Sequence, residues 1–354
     1  MRKGKLGFAV VGCGVIGPWH AKAISLVPKA RLVALCDIEI EKAQKLAAEY
    51  GNVPCYNDHR TMLQREPDID CVCVCVPSGL HWRIAVDAAK AGRNVLCEKP
   101  LDVTLRHMDR MIETCRARGV KLGCIFQRRT SPVTHAVRKV LAEGRLGKIV
   151  LADCYQKYYR APAYYQSAGW RGTWALDGGG ALMNQGVHGI DLHLHLMGDV
   201  EWVSALAAPL VRDISVEDTA AAIVKFKNGA FGVLEGTTSV TPGFSCRTEI
   251  HGENGTLIFD DGGLKKYALA KKKAGLAQDV ELPIKEQGPS KSAASDPMAL
   301  SVRGHMLQVA DLADAVLKDR EPMVPGEEAR KAVELILAIY KSARTGKPAT
   351  LPLK

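Results

Sequence analysis

Between residues 5 and 126, short apolar runs alternate with stretches in which apolar positions recur at helical spacing. The runs lie at 6–11, 31–36, 71–76, 94–97 and 121–126, and their near-continuous hydrophobicity is that of strands buried on both faces. Between them, 18–27, 39–50, 79–91 and 104–118 carry the apolar period of amphipathic helices. Strands separated by helices pair in parallel through right-handed crossovers, so this part is expected to fold as a doubly wound α/β sheet.

After about residue 145 the pattern changes to longer, more polar, alternating segments at 148–158, 202–208, 218–226, 230–238 and 246–251. A period of two predicts half-buried antiparallel strands. Asn228-Gly229 predicts a type I′ hairpin, and Glu253-Asn254-Gly255 a turn ahead of a strand at 256–259. Helices are expected at 181–197, 304–318 and 326–345, and a surface loop at 274–297, which is rich in Lys, Ser and Pro.

The chain has 354 residues, enough for two domains of ordinary size, with 47% hydrophobic and 24% charged residues, which excludes wholesale disorder. No apolar stretch reaches the roughly 18 residues of a membrane span. Basic residues before an apolar run imitate a secretory signal, but Gly12, Gly14 and Gly17 interrupt that run, so a cytoplasmic location is expected. Eleven cysteines, an odd number, fit a reducing compartment. Cys71, Cys73 and Cys75 would share one strand face, yet C-x-C-x-C is not the spacing of a closed zinc site, and they are read as core. The net charge of +10 makes anionic ligands plausible. The densest basic run, Lys265, Lys266, Lys271, Lys272 and Lys273, lacks interleaved aromatics and reads as a solvated loop or edge, so neither nucleic acid nor a membrane is expected as partner.

Gly12-Cys13-Gly14-Val15-Ile16-Gly17 follows the first strand and opens the first helix. The first glycine permits the tight turn, the second a close approach to a pyrophosphate, and the third close helix packing, with the helix N-terminus facing the phosphates. Asp37 ends the second strand roughly 20 residues further on, where a carboxylate accepts hydrogen bonds from the ribose hydroxyls of a dinucleotide. A 2′-phosphate would be repelled there, and Ile38 and Glu39 supply no cation, so NAD is expected rather than NADP. Val76-Pro77-Ser78-Gly79-Leu80-His81 and Cys97-Glu98-Lys99-Pro100 follow the next two strands, at the carboxyl ends where such sheets bind ligands.

With these residues the chain resembles the glucose-fructose oxidoreductase, inositol dehydrogenase and rhizopine-catabolism (Gfo/Idh/MocA) family, whose hallmark is Glu-Lys-Pro at this place. The resemblance extends through Gly178-Gly179-Gly180, the segment from Asn184 to Asp191, and Val324-Pro325-Gly326-Glu327-Glu328-Ala329. It implies an NAD-binding Rossmann domain at 1–126 and a substrate-binding and oligomerisation α+β domain with an open antiparallel sheet at 127–354. It also implies that Lys99 and His188 are the catalytic lysine and histidine and that Trp170-Arg171 approaches the cofactor. Gln127-Arg128 would close the site, and His305 stands where some members place a cofactor-contacting aromatic. Cofactor contacts are then expected from Gly12, Gly14, Val15, Ile16, Gly17, Asp37, Pro77, Ser78, His81, Glu98, Lys99, Gln127, Trp170 and Arg171, and substrate contacts from Lys99, Asn184, His188 and Asp191. Many members carry Asp where this chain has Asn184, and an amide takes no proton at neutral pH. The Asn-Gln-Gly-x-His form resembles nucleotide-sugar and glycoside 3-dehydrogenases.

Read from the residues, Asn184, His188, Asp191 and His195 are spaced by four, three and four and share a helix face. Oxidising a secondary alcohol needs a base for the hydroxyl proton, and histidine suits that task. His188, Asp191 and His195 also have the residue types of metal ligands, but hydride transfer to NAD requires no metal and none is expected; His193 and His195 are read as structural. The expected function is an NAD-dependent oxidoreductase acting on a secondary alcohol of a sugar, glycoside or nucleotide-sugar, with C3 as the favoured carbon. The alternatives are an inositol or cyclitol dehydrogenase, or a non-catalytic dinucleotide- or sugar-sensing regulator on the same fold. An open sheet needs its outer face covered, so a homo-oligomer, dimer or tetramer, is expected.

Overall fold

The computed structural model describes residues 4–270, 277–280 and 301–353. The chain divides into two compact units, one drawn from residues 1–127, 175–178 and 301–333 and the other from 128–174, 179–300 and 334–354.

In the first unit, β1 (Leu6–Val11), β2 (Ala30–Cys36), β3 (Cys55–Tyr56), β4 (Cys71–Val74), β5 (Asn94–Cys97) and β6 (Leu122–Cys124) form a parallel sheet in the order β3-β2-β1-β4-β5-β6. The order reverses between β1 and β4, and ligands of doubly wound sheets bind at such a switch point. Connecting helices are α1 (Gly17–Leu26), α2 (Ile40–Ala47), α3 (His59–Arg65), α4 (His81–Lys90) and α5 (Leu105–Ala117). Cys71, Cys73 and Cys75 sit in the apolar core beside Phe8, Val10 and Leu96, and burial pushes their thiols up, which makes them inert packing residues. The sequence pattern passed over β3 and α3, which are too short to show a period. The one local sign was Asp58, whose carboxylate caps α3 by accepting from the Thr61 N–H at 2.8 Å.

The second unit begins with α6 (Pro132–Ala142), β7 (Ile149–Lys157), α7 (Pro162–Gln166) and α8 (Val187–Met197). There follow β8 (Val200–Ala208), β9 (Thr219–Phe226), β10 (Phe231–Thr237), β11 (Arg247–Gly252), β12 (Gly255–Asp260), β13 (Gly263–Ala270), β14 (Ala277–Asp279) and, near the end of the chain, β15 (Ala349–Thr350). These strands form one sheet in the order β14-β13-β12-β11-β7-β10-β9-β8-β15. It is mixed rather than purely antiparallel, because β10 runs parallel to β7. Alternation holds: β9 buries Ala220, Ala222, Val224 and Phe226 and turns Ala221 and Ile223 outward.

Two further helices, α9 (Val302–Leu317) and α10 (Gly326–Thr345), follow the sheet. In the first unit α9 packs on α1 and adds Val309, Leu312 and Ala313 to the core around Ile24. The Asn228-Gly229 turn differs from expectation. Asn228 keeps a negative φ, Gly229 has φ +92°, and the Gly229 N–H donates to Phe226 O at 3.0 Å, which is a type I turn closed by a left-handed glycine. The Asn228 side chain is held by donating to Met197 O at 3.1 Å, which keeps it out of the type I′ geometry. Of the expected loop at 274–297, Ala277–Asp279 is strand β14, Val280 follows it with its N–H donating to Tyr267 O at 2.8 Å, and the other residues lie outside the described ones, as do Lys271, Lys272 and Lys273. Lys265 and Lys266 stand exposed on β13. Among the described residues no helix is long and apolar enough to cross a membrane.

Candidate active site

The glycine turn of the first unit has the shape its sequence implies. Gly12 has φ +98°, and a Cβ there would lie 2.5 Å from the Cys75 carbonyl oxygen. A Cβ on Gly17 would meet the Gly12 oxygen at 2.3 Å, whereas nothing lies within 4 Å of the same position on Gly14. The outer two glycines are thus required by neighbouring backbone, and the middle one faces open space. Gly14 and Val15 are exposed, Ile16 makes no side-chain cap, and the first turn of α1 carries no acid, which leaves the positive end of the helix open to an anion although Pro18 has no N–H and the Trp19 N–H donates to Ile16 O at 3.0 Å. Asp37 accepts from the N–H of Cys13 at 2.7 Å and of Glu39 at 2.9 Å, which ties the end of β2 to this turn. The cradle fits the diphosphate and ribose of NAD.

The loops after β4 and β5 are stapled by His81. Its Nδ1 lies 2.9 Å from Pro100 O and its Nε2 2.8 Å from Val76 O. The ring is buried and occupied by these carbonyls, so it shapes both loops instead of offering a side chain to the cofactor as expected. Ser78 is buried too, while Pro77 is half-buried. In Glu98-Lys99-Pro100 only Lys99 is half-exposed. Glu98 turns inward, and its Oε1 accepts from His20 Nε2 at 2.8 Å and from His305 Nε2 at 3.1 Å. His305 is therefore an interior residue.

In the second unit the expected helix at 181–197 is α-helical only from Val187. Ala181–Gly186 forms a wider π-helical turn, a form frequent at functional sites, which shifts Asn184 off the simple helix face shared by His188, Asp191 and His195. Glu217 holds that turn: its carboxylate accepts from Gly180 N–H and Leu182 N–H, both at 2.9 Å, and from the Tyr340 hydroxyl at 2.7 Å. Burial pushes the Glu217 carboxyl up to about 7 against these three donors. A Cβ on Gly179 would meet the Tyr340 oxygen at 2.2 Å, and one on Gly180 the Glu217 backbone oxygen at 1.8 Å, which is why this entry is built of glycines. Asn184, Gln185 and His188 are half-buried while the rest of 181–193 is buried. The turn and the start of α8 thus leave Asn184, Gln185 and His188 accessible.

Asp191 does not join them. Its carboxylate is 1% exposed and receives Arg129 Nε at 2.9 Å and Nη2 at 2.6 Å, so the substrate contact expected of it gives way to a buried bidentate pair that anchors α8. Burial drives His193 down to about 4 and, with Arg129 and Arg138, His195 down to about 3; both remain neutral structural residues. Arg171 lies 4.2 Å over the Tyr164 ring and 4.9 Å over Trp170, and donates to the Tyr164 hydroxyl, as does Gln185 Nε2 at 2.8 Å. Tyr164 therefore ties the Trp170-Arg171 pair to the turn that bears Asn184 and Gln185. The sequence reading missed Glu217 and Tyr340, whose contacts are distant in sequence, and Tyr164, whose partners lie 7 and 21 residues away. Gln127 opens a short 3₁₀ turn after β6, and Gly304 packs against its side chain.

The fold and these two sets of side chains are those of a dinucleotide-dependent oxidoreductase. Residues 6–126 match the oxidoreductase family with NAD-binding Rossmann fold, and residues 134–258 match the GFO/IDH/MocA C-terminal domain. The chain belongs to the GFO/IDH/MocA family, and its cofactor is NAD. It is 29% identical over 257 residues to the myo-inositol 2-dehydrogenase of Thermotoga maritima, covering 71% of this chain and 73% of that protein. It is 29% identical over 269 residues to the D-glucoside 3-dehydrogenase of Escherichia coli, covering 75% and 70%. Among solved structures, the WlbA dehydrogenase from Bordetella pertussis in complex with NADH and UDP-GlcNAcA is similar at TM-score 0.87 and 31% identity, covering 100% of both chains.

Proposed function

We propose that the protein oxidises, or in reverse reduces, a secondary alcohol of a pyranoside or nucleotide-activated sugar, with C3 as the reacting carbon, Lys99 and His188 as the catalytic pair, and Asn184 as a substrate ligand. The observation that carries this reading is the half-buried trio of Asn184 and Gln185 on the π-helical turn and His188 at the start of α8, in a stretch that is otherwise interior. An amide at position 184 recognises hydroxyls through neutral hydrogen bonds and takes no proton, which leaves proton transfer to His188. The glucoside 3-dehydrogenase and the WlbA complex with a nucleotide sugar support the same choice. The inositol 2-dehydrogenase relative favours a cyclitol as the second reading.

NAD, when bound, supplies a hydride acceptor at the nicotinamide. Gly14 and the start of α1 would hold its phosphates and Asp37 its ribose hydroxyls, and Lys99 would supply positive charge to the reacting oxygen while His188 would take its proton. Asp191 acts through Arg129 by fixing α8. The outer face of the nine-stranded sheet, where Leu206, Ile223 and Phe231 are exposed, is assigned to contact with a second copy. Eleven free thiols, nearly all buried, suit the cytoplasm.

Side-by-side kcat/KM values for myo-inositol, glucose, a methyl glucoside and a UDP-sugar test the substrate class. The glucoside or UDP-sugar is expected to lead, and a tenfold lead by inositol, about 1.4 kcal/mol of transition-state preference, overturns it. Lys99→Ala and His188→Ala are each expected to lower kcat by roughly 10²-fold while NAD affinity holds. NAD binding without turnover of any of these substrates would instead mark a sensor.

A further inference from the structure

Three buried side chains of the first unit converge on one oxygen. His20 comes from α1, the helix that opens at the glycine turn; Glu98 directly follows β5, beside Lys99; His305 comes from α9. Both imidazoles direct Nε2 at Glu98 Oε1, at 2.8 and 3.1 Å, and the rings meet edge to face at 5.3 Å. The other carboxylate oxygen, Oε2, accepts from the Lys99 backbone N–H at 3.2 Å.

The same three ligand atoms lie within 4.8 Å of one another, the grouping of a divalent metal site. The remaining ring nitrogens decide between the two readings. Nδ1 of His20 and Nδ1 of His305 are both buried and find no hydrogen-bond partner among the described residues. A histidine that ligates a metal through Nε2 carries its proton on Nδ1 and needs an acceptor for it. Two such N–H groups buried without acceptors would each cost a desolvated donor. With the protons on Nε2, both nitrogens that face the carboxylate donate, and each Nδ1 keeps only a lone pair. An imidazolium would again leave a buried N–H on Nδ1. Burial holds His20 below its usual range, and hydrogen bonds from the two imidazoles overcome burial to hold Glu98 well below its own.

We infer that His20, Glu98 and His305 form a metal-free clamp, two neutral Nε2–H imidazoles on one carboxylate, that fixes the backbone of Lys99 relative to the phosphate-binding helix α1. The three are positioning residues that act through Lys99, and the inference rests on the role given to Lys99 under the proposed function. Its consequence is that removing a donor far from any reacting atom displaces the lysine while leaving the cofactor cradle in place.

The test replaces the donors one at a time. His20→Leu and His305→Leu are expected to lower kcat at least tenfold, with the NADH Kd within threefold of the parent. His20→Gln and His305→Gln, whose side-chain amides return an N–H at similar reach, are expected to recover kcat to within threefold. Folded Leu variants with parental kcat overturn the clamp, and so do Gln variants no better than Leu. Where a Leu variant does not fold, ¹⁵N–¹H correlation spectra of the histidines in the intact protein carry the test: two neutral Nε2–H tautomers are expected. A proton on Nδ1, or a stoichiometric metal whose chelation alters these resonances, overturns it. Lys99→Ala with parental turnover would sink the reading of Lys99 without moving the tautomers, so the two failures are distinguishable.

Discussion

Asp37 receives two backbone N–H groups and, as a carboxylate, keeps lone pairs for two hydroxyl donors at its half-exposed edge. Under the proposed function its charge sets the choice between NAD and NADP. Asp37→Ser combined with Ile38→Arg is expected to narrow or reverse the preference for NAD over NADP, read as the ratio of kcat/KM values; equal use of both cofactors by the parent would refute the assignment. Gly12, Gly14, Gly17 and Asp37 were legible because their roles are local: a tight turn, an open approach, a helix contact and a strand end. Glu217 and Tyr340 were not, because the acid meets Gly180 from 37 positions away and the phenol from 123. Nor does spacing reveal that Asp191 is claimed by Arg129, since nothing local to Arg129 marks it as a buried partner.

At the scale of elements, strands and helices with a clear period were read to within a few residues, and β10 against β9 was anticipated even though its turn type was not. The π-helical turn at Ala181–Gly186 was invisible, because its cause is tertiary: Glu217 pulls two N–H groups of the chain entering the helix onto one carboxylate. This arrangement makes Gly180 irreplaceable. A Cβ there meets backbone oxygen at 1.8 Å, which no rotamer change relieves. Gly180→Ala is expected to cost at least about 1–3 kcal/mol, the usual range for overpacking, and to lower kcat as His188 shifts. Gly169→Ala, where nothing lies within 4 Å, is expected to leave both unchanged. Thermal unfolding and kcat for the two variants check the contrast, and equal behaviour would refute the account of the turn.

For the assembled molecule, the prediction concerns the face that the second unit leaves open. Along β8, β9 and β10 the outward positions Leu206, Ile223 and Phe231 are respectively 78%, 56% and 54% exposed, and Leu206 pairs in register with Ala221 and Ile223 with Val233, extending the apolar band across three strands. Isolated exposed leucines are ordinary, whereas an apolar band across three strands is the reason this face is proposed to meet a second copy. Light scattering coupled to gel filtration is expected to show an oligomer for the parent and a smaller species for Ile223→Lys with Leu206→Lys; a monomeric parent at micromolar concentration would refute the assignment. The sequence foretold the sheet and hence the need for cover, but the apolar outward positions emerge only once register is known.

The parallel pairing of β7 with β10 also governs how this sheet assembles. β7 is the first of its strands in the chain and lies in the middle, flanked by β10 on one side and β11 on the other. Neither neighbour is adjacent in sequence, so β7 has no hairpin of its own. The hairpins β9–β10 and β11–β12 close through short loops and are cheap in chain entropy, whereas seating β7 between them means closing much longer loops first. The strand that leads the unit out of synthesis is thus among the last to be locked, and the helix bearing His188, which packs on β7 through Gly189 beside Gln156, gains its final footing only when the two hairpins have met around it.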